Sequence, residues 1–165
     1  MKFIGHLDIM RYFQKAIRRA DIDIAYSEGF SPHMIMSFAA PLGVGLTSEG
    51  EYVDLQVNSC ASSKAAVNAL NSVMVDGMEV VSFKLLPETV KNAMASVAAA
   101  DYFVNFREGY APENWEEKFM TFLQKEEMLI VKKTKRSEAE VDLKPMLYKA
   151  EIRDGGIFMQ VACGS

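Results

Sequence analysis

The chain has 165 residues, half of them hydrophobic and about a quarter charged, with a formal net charge of -4. That balance suits one compact domain or two small packed ones with a real core, and it excludes default disorder and indiscriminate coating of nucleic acid, while leaving room for a local basic face. Two distant cysteines, Cys60 and Cys163, build neither a disulfide framework nor a clustered metal site.

Leu7, Met10, Phe13, Ile17 and Ala20 recur at helical spacing, which predicts a helix over 7–20 with Arg11, Lys15, Arg18 and Arg19 on its other faces. Residues 22–27 and 34–39 read as two strands joined by a Gly29–His33 turn in which Pro32 fixes the backbone. Residues 51–57 alternate as a third strand, with Val53, Leu55 and Val57 on one face. Ser62 or Ser63 then caps a helix whose apolar stripe is Ala66, Val67, Leu70, Val73 and Met74. A strand over 79–86, with Val81, Phe83 and Leu85 inward, stops at Pro87. The segment 92–100 reads either as a short helix or as the run into a strand.

The second half repeats the theme. A strand over 102–107 precedes a helix that begins near Pro112, carries Glu113, Glu116 and Glu117 at its positive end, and buries Trp115, Phe119, Phe122 and Leu123. A strand over 128–133 follows, then a hairpin of 147–153 and 157–163 across Asp154-Gly155-Gly156. The expected class is α+β, with antiparallel sheets, helices on one face, and two ferredoxin-like halves over 1–88 and 98–165. No apolar run approaches the ~20 residues of a membrane span, and no signal peptide is visible, so a cytoplasmic protein is expected.

Polar chemistry gathers in the first third. His6-Leu7-Asp8 opens the first helix, where backbone N–H groups and the dipole favour an anion; His6 is either part of the helix start or a functional contact. Arg11, Lys15 and Arg18 recur at spacings of four and three and share a face, which is either a phosphate-binding stripe or a solvated helix surface. The turn Tyr26-Ser27-Glu28-Gly29-Phe30-Ser31-Pro32-His33 combines aromatics, hydroxyls and a histidine, as contact surfaces do; the alternative is a Phe30 that folds back on the core. The glycine-rich stretch 41–50 lacks the lysine of a P-loop and the dinucleotide fingerprint, and reads as a flexible loop. Lys132-Lys133-Thr134-Lys135-Arg136 is either an extension of a basic surface or a solvated loop. No catalytic constellation and no metal-ligand spacing stands out, so no catalytic residue, metal or cofactor is assigned.

The block Phe3-Ile4-Gly5-His6-Leu7-Asp8, Ala25-Tyr26-Ser27-Glu28-Gly29-Phe30-Ser31-Pro32-His33, Pro41-Leu42-Gly43 and Ser48-Glu49-Gly50-Glu51-Tyr52-Val53-Asp54-Leu55 resembles the bacterial radical-SAM-linked proteins, a domain of unknown function fused to or encoded beside radical S-adenosylmethionine enzymes. Segment Glu140-Val141-Asp142-Leu143-Lys144-Pro145 extends the likeness loosely, and Gly5 stands where that pattern has a serine. The chain lacks the three closely spaced cysteines of the radical-SAM signature, so the resemblance implies a companion of such an enzyme. It also implies further segments at both ends and an open sheet edge, through which copies could pair. The helix followed by a Gly-bearing hairpin is similar, at fold level only, to the CRISPR RNA-processing endonucleases.

Three functions follow as expectations. The first is an accessory module presenting tRNA or rRNA to a radical-SAM enzyme, with Arg11, Lys15, Arg18 and Arg19 on phosphates, Tyr26 and Phe30 stacking bases, and His6 and His33 completing the site. The second is a docking domain for a partner enzyme, without nucleic acid. The third is a metal-independent ribonuclease using His6 or His33 as base.

Overall fold

The computed structural model describes residues 3–87, 89–133 and 138–163, in two compact units, Met1–Ser96 and Val97–Ser165. Part of the basic stretch 132–136, residues 134–136, lies outside the described residues.

The first unit opens on α1, His6–Arg19, which begins at an extended Gly5 with no side-chain cap. Asp8 in its first turn and Arg18 and Arg19 in its last complement the dipole. Its apolar repeat buries Ala16 and Ile17 completely. The helix ends in a Schellman motif: the Ile22 N–H donates to the Ile17 carbonyl at 3.2 Å and the Asp21 N–H to the Arg18 carbonyl at 3.3 Å. Asp21 supplies the left-handed residue, φ 54°, where glycine is usual. Ile22 then packs on the cluster that contains Ile17, which turns the chain from helix into sheet.

The strand expected over 22–27 survives as two antiparallel bridges, Ile24 to Val57 and Tyr26 to Met34. Asp23 anchors its start by accepting from Asn58 Nδ2 at 2.8 Å and Ser59 Oγ at 2.7 Å, bonds that hold its carboxyl below the usual range. The regular ladder is β1, Met36–Phe38, antiparallel to β2, Val53–Leu55, with Ser37 opposite Asp54. Next comes α2, Ser63–Asn71, capped by Ser62 Oγ, which accepts from the Ala65 N–H at 3.1 Å. Ile17, Ile24, Met34 and Leu70 form the buried cluster, so α1 and α2 cover one face of the strands.

The expected strand over 79–86 joins no ladder among the described residues. Asn71 takes its place as partner, donating to the Val80 carbonyl at 3.0 Å and accepting from the Val80 N–H at 2.8 Å. That clamp turns Val80 and Phe83 onto the cluster and leaves Val81 and Leu85 exposed, contrary to the expected alternation. The ambiguous segment 92–100 is both things expected of it: α3, Ala93–Ser96, and then a strand.

In the second unit that strand is β3, Ala99–Val104. The next helix, α4, Trp115–Leu123, starts three residues after Pro112, at a left-handed Asn114. Trp115, Phe119 and Leu123 are half-buried, whereas Phe122 is exposed with Lys125 Nζ 5.7 Å from its ring, so the expected stripe is narrower. β4, Leu129–Lys133, pairs with β5, Glu138–Asp142, a polar strand the alternation rule passes over. After a 3-10 turn at Lys144–Met146 come β6, Leu147–Arg153, and β7, Gly156–Ala162. Asp154 and Gly155 both have positive φ, as a two-residue type I′ hairpin requires. β7 lies between β3 and β6, antiparallel to both.

The class is therefore α+β with antiparallel sheets, as expected. The first unit runs helix, strand, strand, helix and the short α3, with β1 and β2 as its one regular ladder among the described residues.

Candidate functional site in the first unit

The turn between Tyr26 and Met34 is closed at its base by two residues. The Ser27 N–H donates to the His33 carbonyl at 2.9 Å and the His33 N–H donates to Ser27 Oγ at 3.1 Å. The same Oγ lies 2.8 Å from His33 Nδ1. Three bonds between one pair fix the turn and occupy Nδ1, so Nε2 is the ring nitrogen left for a ligand. Gly29, φ 104°, lets the chain reverse. Phe30 at the tip is fully exposed and Tyr26 nearly half so; Phe30 does not fold back on the core.

The helix contributes its cations separately. Arg11 Nη1 meets Asp8 Oδ1 at 3.2 Å, an exposed pair of little energetic consequence. Lys15 and Arg18 are exposed on the same face. Arg19 differs: its Nη2 donates to the Val73 carbonyl at 3.2 Å and its guanidinium stands 6.0 Å from the Tyr12 ring centroid. Tyr12 in turn accepts from the Val75 N–H at 2.8 Å, so Arg19 and Tyr12 together fasten α1 to the end of α2. Arg19 thus has a structural engagement of its own, which Lys15 and Arg18 lack among the described residues.

His6 stacks edge-on against Phe38, ring centroids 5.4 Å apart, and Phe13 meets the same ring at 5.3 Å. His6 thus sits half-buried at the helix start as a packing group. Among the described residues, no hydrogen bond, ion pair or ring contact joins His6 or the α1 cations to the turn that carries Tyr26, Phe30 and His33.

Ile35, Ser37, Asp54 and Gln56 alternate with core-packed Met36 and Leu55, and line an open groove of about 440 Å³. His33 lines it as well, as does a wall of Leu86, Val90, Lys91 and Asn92. Asp54 Oδ2 accepts the Ala93 N–H at 2.6 Å and so ties that wall to β2. Sequence reasoning missed Asp54 and Lys91 as neighbours because 36 intervening residues separate them; the only local signal was Asp54 on the outward face of an alternating strand. No cluster of three or more His, Cys, Asp or Glu suited to a metal ion occurs among the described residues, and no helix among them is long and apolar enough to cross a membrane.

No curated protein and no solved structure matches the chain. A family model does, over residues 1–165, and the chain belongs to that family, described as "Uncharacterized protein conserved in bacteria (DUF2344)".

Proposed function

We propose that this chain is an accessory module that binds RNA of the tRNA or rRNA class and presents it to a radical-SAM modification enzyme. The observation that carries the reading is the turn 26–33: a fully exposed phenylalanine on a turn braced by Ser27 and His33. A rigid turn with an exposed aromatic is what base stacking needs, since every base offers a π-face and little ordering entropy is then lost. Lys15 and Arg18, with Arg11 beside them, offer phosphates a cationic helix face within a chain of net negative charge. The resemblance of residues 3–55 to radical-SAM-linked proteins supports the enzyme as partner, and the absence of three closely spaced cysteines supports the accessory role.

Photo-crosslinking of the full chain to bulk tRNA, followed by mapping of the adducts, tests this. Adducts at Tyr26 and Phe30 are expected. Crosslinks confined to other segments, or none, would overturn the reading. Capture of the radical-SAM enzyme that is lost in Phe30→Ala but indifferent to salt would instead identify the turn as a protein-docking surface.

A further inference from the structure

We infer that the chain pairs with a second copy of itself through β3, edge to edge and antiparallel about Tyr102, so that two three-stranded sheets join into one of six strands. The inference stands apart from the RNA reading, which uses the first unit alone. It starts from the unequal edges of the sheet, whose strand order is β3-β7-β6. Natural sheet edges are blunted by charge, by a bulge or by proline. β6 has two of these devices: a register shift between Leu147 and Lys149, and a row of Lys149, Glu151 and Arg153 in which Glu151 pairs with both cations. β3 pairs in unbroken register and carries neither bulge nor proline. Its one charge, Asp101, accepts from Gln160 Nε2 at 2.9 Å and is held over β7, away from the free edge. Tyr102 and Val104 are 40% exposed and Phe103 is 48% exposed.

The ladder fixes which main-chain groups of β3 are free. The Cys163 N–H donates to the Ala98 carbonyl at 3.0 Å. Bonded positions alternate in an antiparallel pair, so Ala100, Tyr102 and Val104 bond to β7, while the N–H and C=O groups of Ala99, Asp101 and Phe103 point away from it. Among the described residues, no backbone group meets them. A second β3 fits that row. With the two-fold axis through Tyr102, Asp101 of each copy lies opposite Phe103 of the other, which gives about four main-chain bonds. Tyr102 meets its own symmetry mate at a non-hydrogen-bonded position, where side chains lie closest and aromatic pairs are favourable. No like charges face each other in this register; with the axis through Asp101, two carboxylates would. The face continues as well: Ala100, Tyr102 and Val104 share it with Val161, Met159 and Ile157, so the joined sheet extends one apolar surface across the axis.

The test is light scattering of the full chain over a range of concentrations, together with amide hydrogen exchange at Asp101 and Phe103. The wild type should reach the mass of two chains as concentration rises, and those two amides should gain protection in step. Tyr102→Lys sets two ammonium groups against each other at the axis and should weaken dimerisation about tenfold or more. Tyr148→Lys, on the opposite edge strand, should leave it unchanged. Both tyrosines are exposed, so circular dichroism should show both variants folded. A monomer at every concentration, a dimer whose Asp101 and Phe103 amides exchange freely, or a dimer indifferent to Tyr102→Lys would overturn the inference. Dimerisation without tRNA binding would leave this edge standing and remove the RNA reading; tRNA binding by a monomer would do the reverse.

Discussion

Ser27 Oγ lies 2.8 Å from His33 Nδ1 while accepting the His33 backbone N–H at 3.1 Å, so one hydroxyl both closes the 26–33 turn and sets which histidine nitrogen remains for ligands. Ser27→Ala removes both bonds and leaves the Ser27 N–H to His33 carbonyl bond alone. Because the site is exposed, global stability should fall by only about 0.5–1.5 kcal/mol. The local effect should be larger: faster hydrogen exchange at the His33 amide and weaker tRNA binding despite an intact Phe30. Wild-type exchange at that amide would show that the hydroxyl does not brace the turn.

Asp21 occupies the left-handed position of the α1 Schellman motif at φ 54°, with the Ile22 N–H bonded back to Ile17. Glycine adopts that conformation without a Cβ penalty. Asp21→Gly is therefore expected to stabilise the protein by about 0.5–1 kcal/mol, read as a higher urea midpoint at constant slope. Destabilisation would mean that the Asp21 side chain makes a contribution the motif does not require.

Asp142 Oδ1 accepts the Lys144 N–H at 2.9 Å and the Met128 N–H at 2.7 Å, and these two bonds hold its carboxyl below the usual range. A carboxyl whose folded pKa lies below its unfolded one, about 3.9, adds stability that is complete above that value and is lost as pH falls through the folded pKa. Exchange protection at the Met128 and Lys144 amides should therefore decline below about pH 4. Asp142→Asn should show no such decline, because its amide oxygen accepts at every pH. Parallel pH profiles for the two proteins would refute the linkage.

Much of the fold is legible where packing follows a period. Ile17 and Leu70 are buried because α1 and α2 repeat apolar residues at helical spacing, and Ser62 caps where a serine precedes such a repeat. Periodicity misleads where a side chain replaces a strand: Val81, Phe83 and Leu85 alternate, yet the Asn71 clamp on Val80 sets the facing of the segment. It is silent where a strand is held by pairing alone, as in β5, whose Glu138-Ala139-Glu140 start is exposed. The candidate site divides the same way. The exposed turn with Tyr26, Phe30 and His33 follows from residue types in one short segment. The engagement of Arg19 with Val73, and the tie of Asp54 to the Ala93 N–H, depend on contacts remote in sequence that no local pattern announces.

The measurement that most directly tests RNA binding is fluorescence anisotropy of labelled bulk tRNA against the full chain, at low and at physiological salt. The comparison protein is Lys15→Ala plus Arg18→Ala, which spares Arg19 and its contact with Val73. RNA binding through this face predicts saturable association by the wild type that weakens steeply with salt, and a double variant with both weaker binding and a salt slope smaller by roughly 1–2. Absence of binding at low salt, or the same affinity and slope in both proteins, would contradict it.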